Sequence, residues 1–415
     1  KPVHQDTSPK FPARLLTLIG NDAAVISTDR ELFIYLPGAD KDEALDWANS
    51  FRKKVTKLGS GTYSQGISVY PCPGFKKADV PLNARKATIH ASFSGPAAIT
   101  PFDAVSLNIS GDIYYNEGDL NGAIREYRLG LNLDPDNINL LNSLGVIYAQ
   151  IERYKMAMPL FERILSITSG DFMAMYNLGF AYLRGGSREQ ALTYFEQALA
   201  LDPDSFDLLL QLGQIYCADH QYKKAVKVLN KAEKAVSSPK AGNTSRPWER
   251  CEPWHESSDN LGHDLIYRYL GEAYKGINKN REAITYLQKA TRYNSRDARA
   301  LSLLGELYSI EKQGADIAVA LCRQAVELDG GSAGHWRRLA LTLLKNDDLD
   351  EALAAVKKSL GIAPKDPDAL LSLARIYQKL GKLLPARTTL ERLLKLDGTN
   401  KAAGKLLLQI NRKKY

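Results

Sequence analysis

The chain has 415 residues, 44% hydrophobic and 25% charged, the composition of a soluble globular protein with room for two or more domains or one extended array. No apolar run approaches the length that crosses a bilayer, so no membrane segment is expected; the start KPVHQDTSPK has neither Met nor a signal-peptide core and reads as a cut, leaving upstream targeting segments open. The 55 Lys and Arg outnumber the 47 Asp and Glu, giving a formal charge of +8 that biases the surface toward anionic partners; read as spread along the chain, this charge argues against nucleic acid.

Residues 1–103 read as a small α/β segment. Strand-like RLLTLIG and AAVIS are followed by ELFIYLP, the helical ADKDEALDWANSFRKKV, a strand in TYSQGISVYP, a helix in DVPLNARKATIHASF and a short closing strand near AAITPFD. This order resembles the C-terminal half of the GGDEF (diguanylate cyclase) domain family. The likeness rests on a strand ending at Pro37, paired alanines Ala44 and Ala48 on the next helix, the strand Ser64-Gln65-Gly66, and a small-residue helix with Asn83, Ala84, Ala87 and Ala91 that ends at Gly95. The signature loop would fall on Thr28-Asp29-Arg30-Glu31-Leu32, where only Glu31 matches and both phosphate-cradling glycines are missing. The inhibitory-site motif, placed at Ile19 to Asp22, keeps only Asp22, and the half of the domain carrying the first metal carboxylate is not in this chain. The resemblance therefore implies a degenerate module that binds a nucleotide or dimerises without phosphoryl transfer. The competing reading is an unrelated α/β cap on the segment that follows.

From about residue 104 the sequence repeats. Gly-x-x-Tyr recurs at Gly111/Tyr114, Gly145/Tyr148, Gly179/Tyr182 and Gly213/Tyr216, then at Gly271/Tyr274 and Gly305/Tyr308, with Ala340 and Ala374 standing for glycine in two further units. A second small residue runs in parallel at Ala123, Ala157, Ala191, Ala225, Ala283, Ala318, Ala352 and Ala386, at intervals of 34 or 35 except for one of 58. A large apolar residue follows four positions later, as in Tyr127, Phe161, Phe195, Leu229 and Leu287, and Pro135, Pro203 and Pro364 close units. The pattern resembles the tetratricopeptide repeat (TPR), a 34-residue helix-turn-helix unit. The resemblance implies a mainly α fold: a right-handed superhelical solenoid of eight hairpins, stacked so that each buries its apolar face against its neighbours. The organisation expected is units one to four over 104–236, an insertion over 237–263, units five to eight over 264–400 and a capping helix over 401–415. The glycines, alanines, tyrosines and the leucines before the glycines are assigned to the core.

The insertion, SSPKAGNTSRPWERCEPWHESSDNLGH, is rich in Pro, Gly and Ser and has no helical period. Trp248 and Trp254 could dock on the array or on a partner, whereas Cys251 and His255 are too few for a metal site. Cys72, Cys217, Cys251 and Cys322 form no CxxC pair, which argues against disulfides and zinc and fits a reducing, cytoplasmic compartment. The six histidines form no HExxH cluster and no Gly-rich phosphate loop is present, so no cofactor, metal or catalytic residue is expected.

The solenoid resemblance implies a concave face lined by the first helix of each unit. Positions one after and three before the glycine there offer Asn108, Asp112, Asn142, Tyr176, Phe180 and Gln214 in the first four units. The next four offer Arg268, Glu272, Glu306, Arg337 and Arg375, with Lys275 one turn on and Arg299 one turn back. A polar-aromatic half followed by an arginine-rich half fits an extended protein or peptide ligand with acidic residues near one end. The competing reading pairs these Arg and Glu residues with each other. Asn142 and Asn177 match the asparagines of chaperone-binding carboxylate clamps, but the lysines of that set are not matched. Two functions follow: a non-catalytic interaction scaffold in bacterial signalling, or a regulator whose GGDEF-like segment senses a nucleotide or forms a homodimer and relays through the repeats.

Overall fold

A computed structural model describes residues 13–19, 23–27, 31–57, 63–236 and 262–412. Two compact units divide after Leu201. The insertion, with its Trp, Cys251 and His255, lies outside the described residues except for Gly262 and His263, and so does most of the degenerate signature loop.

The first unit begins with α1 (Ala13–Leu16), where a strand was expected, followed by the antiparallel hairpin β1 (Ala24–Ser27) and β2 (Leu32–Tyr35), with Ala24 opposite Tyr35. The helical turn wins because Leu15 and Ile19, four apart, both reach a core with Phe51 and Val55 of α2 (Lys41–Lys57). Asp40 and Glu43 cap α2 reciprocally: each side chain accepts the other's backbone N–H, at 2.9 and 3.0 Å. β3 (Gln65–Ile67) then pairs in parallel with β4 (Ile99–Pro101) across α3 (Val80–Phe93). Gly66 is needed here, because a Cβ would sit 2.1 Å from the Ala84 carbonyl oxygen and 2.2 Å from the Thr88 nitrogen of α3. The described strands form two separate two-stranded sheets.

Helical hairpins follow. In the first unit they are α4 (Ala104–Asn116) with α5 (Leu120–Leu133), α6 (Ile138–Gln150) with α7 (Tyr154–Ile167), and α8 (Phe172–Arg184) with α9 (Arg188–Leu201). In the second they are α10 (Phe206–Ala218) with α11 (Tyr222–Val236), α12 (His263–Gly276) with α13 (Asn280–Tyr293), α14 (Ala298–Glu311) with α15 (Ala315–Leu328), α16 (Ala333–Lys345) with α17 (Leu349–Ile362), and α18 (Pro367–Lys379) with α19 (Leu383–Leu396). The last helix, α20 (Lys401–Arg412), lays Ala403, Leu406 and Ile410 on the core of the final hairpin.

Why glycine recurs is now physical. A Cβ on Gly111, Gly145, Gly179, Gly213 or Gly271 would stand 2.2–2.7 Å from Tyr127, Phe161, Phe195, Leu229 or Leu287, the large side chain sixteen residues on. Each first helix thus presents a bare backbone as the floor on which its partner's largest buried side chain rests. Where alanine replaces glycine, the partner at Ala340 is the smaller Val356, whereas Ala374 shares its core with a full-sized Leu390. The tyrosines of the motif divide: Tyr148 and Tyr216 are buried, whereas Tyr182 and Tyr274 flank the core and stack on Tyr194 and Tyr286 at 5.6 and 5.3 Å. Asp103, Asn137, Asp171, Asp297 and Asp366 cap the first helices that follow them, each accepting a backbone N–H from the first turn.

The register gap does not interrupt packing in the second unit. Glu233 of α11 accepts from Tyr286 at 3.3 Å and pairs with Lys289 of α13 at 3.4 Å, and Tyr222 lies against the backbone of Gly276.

Candidate functional site

The expected ligand-facing residues all lie on first helices, and their surroundings differ between the two units. In the first, Asp112 accepts from the Tyr127 hydroxyl at 2.7 Å and from Asn108 at 3.4 Å. Burial, then Asp112, pushes the Tyr127 phenol far above its ordinary range, so Asp112 serves the core. Tyr176 packs on Phe172 and Phe195, and Phe180 lies under the Arg184 guanidinium at 5.4 Å. Asn142 is arranged differently. Its Oδ1 accepts from Asn177 Nδ2 of the next first helix at 3.0 Å, and both side chains are half-buried. This bond uses neither the Asn142 NH₂ nor the Asn177 Oδ1, a donor and an acceptor with no hydrogen-bond partner among the described residues.

In the second unit Gln214 is half-buried on α10, and the charged residues form a ladder between successive first helices. Arg268 donates to Asp297 at 3.1 Å, Arg299 to Glu272 at 2.6 Å and Lys275 to Glu306 at 2.5 Å. Arg338 joins Glu306 at 3.2 Å, and Arg337 pairs with Asp366 and Asp368. Burial alone would raise the Glu306 carboxyl, but Lys275, Arg338 and Arg337 outweigh it and hold it below the usual carboxylate value. Of the expected cations, only exposed Arg375 has no ion-pair partner among the described residues. The arginine-rich half therefore bonds extensively to itself, the pairing that the competing reading set out, with partners that come from the neighbouring repeat.

One constellation in this unit has the members of a hydrolytic triad: His335 Nδ1 lies 2.9 Å from Ser302 Oγ, and its Nε2 lies 3.4 Å from Asp329. Ser302 is wholly buried and its hydroxyl donates to the Arg299 carbonyl at 3.1 Å, so no substrate atom can reach it. Burial pushes the Cys217 thiol up to about 12 and the Cys322 thiol up to about 11, which keeps both protonated at neutral pH. Among the described residues no group of three or more His, Cys, Asp or Glu could hold a metal ion, and no helix is long and apolar enough to cross a membrane.

The charge is less evenly spread than expected. Residues 1–201 carry 20 Lys and Arg against 21 Asp and Glu, whereas residues 202–415 carry 35 against 26. Residues 375–412 alone hold nine against two. On α11, Lys223, Lys224, Lys227, Lys231 and Lys234 are all exposed. The expectation of dispersed charge is corrected accordingly; it came from a total taken over the whole chain.

Comparison with known proteins places this architecture. Tetratricopeptide-repeat models match residues 140–171, 182–239, 270–313, 310–367 and 343–410, and one described as a TPR repeat matches 111–151. The cellulose synthase operon protein C of Pseudomonas fluorescens (strain SBW25) is 30% identical over 154 residues, covering 36% of this chain and 12% of that protein. The general transcriptional corepressor trfA of Dictyostelium discoideum is 25% identical over 136 residues, covering 32% of this chain and 10% of that protein. The chain thus spans about a tenth of the length of these curated relatives. Among solved structures, the Cut9–Hcn1 hetero-tetramer of APC/C resembles it at a TM-score of 0.50 and 16% identity, covering 72% of this chain and 56% of that one, a likeness of fold. A tetratricopeptide repeat protein from Parabacteroides merdae resembles it at a TM-score of 0.45 and 16% identity, over 66% of this chain and 98% of that one.

Proposed function

We propose, because the chain belongs to the tetratricopeptide-repeat family, that it is a non-catalytic scaffold binding an extended segment of a protein partner along its first helices. The observation that carries this reading is the Asn142–Asn177 bond. Two amides on neighbouring first helices, joined through one donor and one acceptor, keep a further donor and a further acceptor for a ligand, the kinds of group with which a peptide backbone pairs. Tyr176 and Phe180 flank them on α8 and supply apolar area. In the second unit the ladder of ion pairs supplies rigidity to the first helices.

The test uses a displayed library of random peptides selected on the native chain. Asn142→Ala with Asn177→Ala should abolish retention of the enriched sequences while leaving helix content unchanged; undiminished retention would overturn the assignment.

The likeness of residues 1–103 to half of a GGDEF domain supports the alternative, a segment that senses a nucleotide or dimerises and relays through the repeats. Against a relay stands the seating of this segment. α3 is tied to α5 by the buried Lys86–Glu126 pair, and His90 to Ser106 of α4 at 3.2 Å, which suits a fixed cap on the first hairpin. Calorimetric titration with cyclic di-GMP and with GTP separates the two: a cap gives no heat, and saturable heat would favour the sensor.

A further inference from the structure

The cations of the second unit fall into two populations. Those on the first helices are largely spent on carboxylates of neighbouring repeats. Those on the outer side of the last hairpin are not. There a cleft of about 400 Å³ is lined by Lys365 from the turn before α18 and by Thr388, Glu391, Arg392, Lys395 and Leu396 of α19. Glu391 is the one carboxylate in the lining, and Arg387 neutralises it at 2.7 Å. Lys365, Arg392 and Lys395 are exposed and have no carboxylate partner among the described residues. The cleft therefore carries three uncompensated positive charges, two of them, Arg392 and Lys395, within the stretch 375–412 that holds nine cations against two anions.

Arg392 is also oriented in advance. One guanidinium N–H donates to the Pro364 carbonyl at 2.8 Å, which tethers the exposed side chain to the turn that bears Lys365. A planar donor fork held in place loses less freedom when it meets a carboxylate than a free one does.

We infer that this cleft docks an acidic segment of a protein partner, one that carries carboxylates beside an aliphatic side chain. Three features select that occupant. The charge calls for an anion. The lining contains no aromatic ring on which a nucleic-acid base could stack, but it does contain half-exposed Leu396, with Leu384 of the same helix 72% exposed. The site is also an open cleft between α19 and the turn before α18, along which an extended chain can lie. This site is separate from the first-helix face proposed above, and the acidic preference expected of that face is reassigned to it.

The test measures fluorescence anisotropy of a labelled synthetic peptide of glutamate pairs separated by leucines, titrated with the full chain at low and high salt. Binding is expected at low salt and should weaken as salt rises. The variant Lys365→Glu/Arg392→Glu/Lys395→Glu alters only exposed side chains and should lower affinity at least about tenfold. Leu396→Ser should weaken the peptide further than it weakens a plain polyglutamate probe. Arg375→Glu, together with Asn142→Ala, should leave peptide affinity unchanged, so failure here is distinguishable from failure of the first-helix reading. The inference is overturned if the triple variant binds as the native chain does, or if the acidic peptide fails to bind at low salt. It also falls if a single-stranded oligonucleotide or a phosphatidylserine vesicle binds more tightly than the peptide through the same three cations.

Discussion

The Lys86 ammonium lies 2.6 Å from the Glu126 carboxylate, with the two side chains only 8% and 4% exposed, and this pair joins the α/β segment to the second helix of the first hairpin. A buried pair contributes little net stability over an apolar pair of the same size, yet removing one member strands the other charge in a poorly hydrated site. Glu126→Leu alone should therefore destabilise the contact between α3 and α5 by about 3–5 kcal/mol, and Lys86→Met/Glu126→Leu should recover most of that loss. Amide hydrogen exchange along α3 and α5 reads it directly. If the double variant exchanges as fast as the single one, the pair is an ordinary contributor to stability rather than a device that fixes how the segment sits.

Glycine substitutions should split by what each first helix supports. At Gly145 a methyl would meet the buried Phe161 ring at 2.6 Å, and the ring has nowhere to retreat, so Gly145→Ala should cost about 1–3 kcal/mol through overpacking. At Gly404 of α20 nothing lies within 4 Å of an added methyl, and Gly404→Ala should gain roughly 0.5–1 kcal/mol of helix propensity. Urea unfolding monitored by circular dichroism should give midpoints that move in opposite directions; a shared direction would mean that propensity alone sets the outcome.

These glycines also show what could be read from the chain. The spacing from Gly145 to Ala157 to Phe161 identified the hairpin because one close crossing imposes all three residue types at once, and the next unit imposes them again. The α/β elements were likewise legible from alternation and turn residues, apart from α1, whose leucines fit either period over so short a run. For the ladder, pairing was one of two readings, and which partners meet was not legible. Arg268 and Asp297 are 29 positions apart, and whether they meet depends on the angle between stacked repeats, which no local pattern encodes. Asp297 could be foreseen only as the cap of α14. The charge concentration at residues 375–412 was visible in the letters and was lost by summing over the whole chain.

That ladder changes what a charge reversal would do. Arg268 donates at 3.1 Å to Asp297, whose side chain is 4% exposed and whose other oxygen caps α14 through the Ala300 N–H at 3.0 Å. Spacing alone predicts that Arg268→Glu with Arg337→Glu weakens partner binding without touching helix content. The structure predicts a structural defect as well, because a glutamate at 268 faces a buried carboxylate already committed to a cap. Arg268→Glu should lower the unfolding free energy of the second unit by about 2 kcal/mol or more, whereas Arg375→Glu should be within about 0.5 kcal/mol of native. Equal stability in both variants, measured by urea titration, would show that Arg268 contributes no more than an ordinary surface pair.

His335 gives the second unit a dependence on pH whose direction can be worked out. Burial disfavours its protonated form, and the Arg338 guanidinium adds to that, so its pKa lies below the ordinary imidazole value. Arg299 opposes the positive charge too, while Asp329 and Asp297 favour it without prevailing. In the unfolded chain the imidazole titrates near its ordinary value of about 6.5. As pH falls below that value, the unfolded chain takes up a proton that the folded chain refuses. Stability is therefore complete above about pH 6.5 and is lost progressively as pH drops from there through the lower folded pKa. Glu306, whose carboxyl is also held low, titrates beneath the usual carboxylate range and so outside this window. Unfolding midpoints measured at about pH 7.5 and about pH 5.5 should fall more for the native chain than for His335→Gln, since the other five histidines are common to both. Gln keeps a donor and an acceptor for Ser302 Oγ, so the comparison isolates the proton rather than the hydrogen bond. Parallel profiles for the two proteins would place the acid sensitivity elsewhere in the chain.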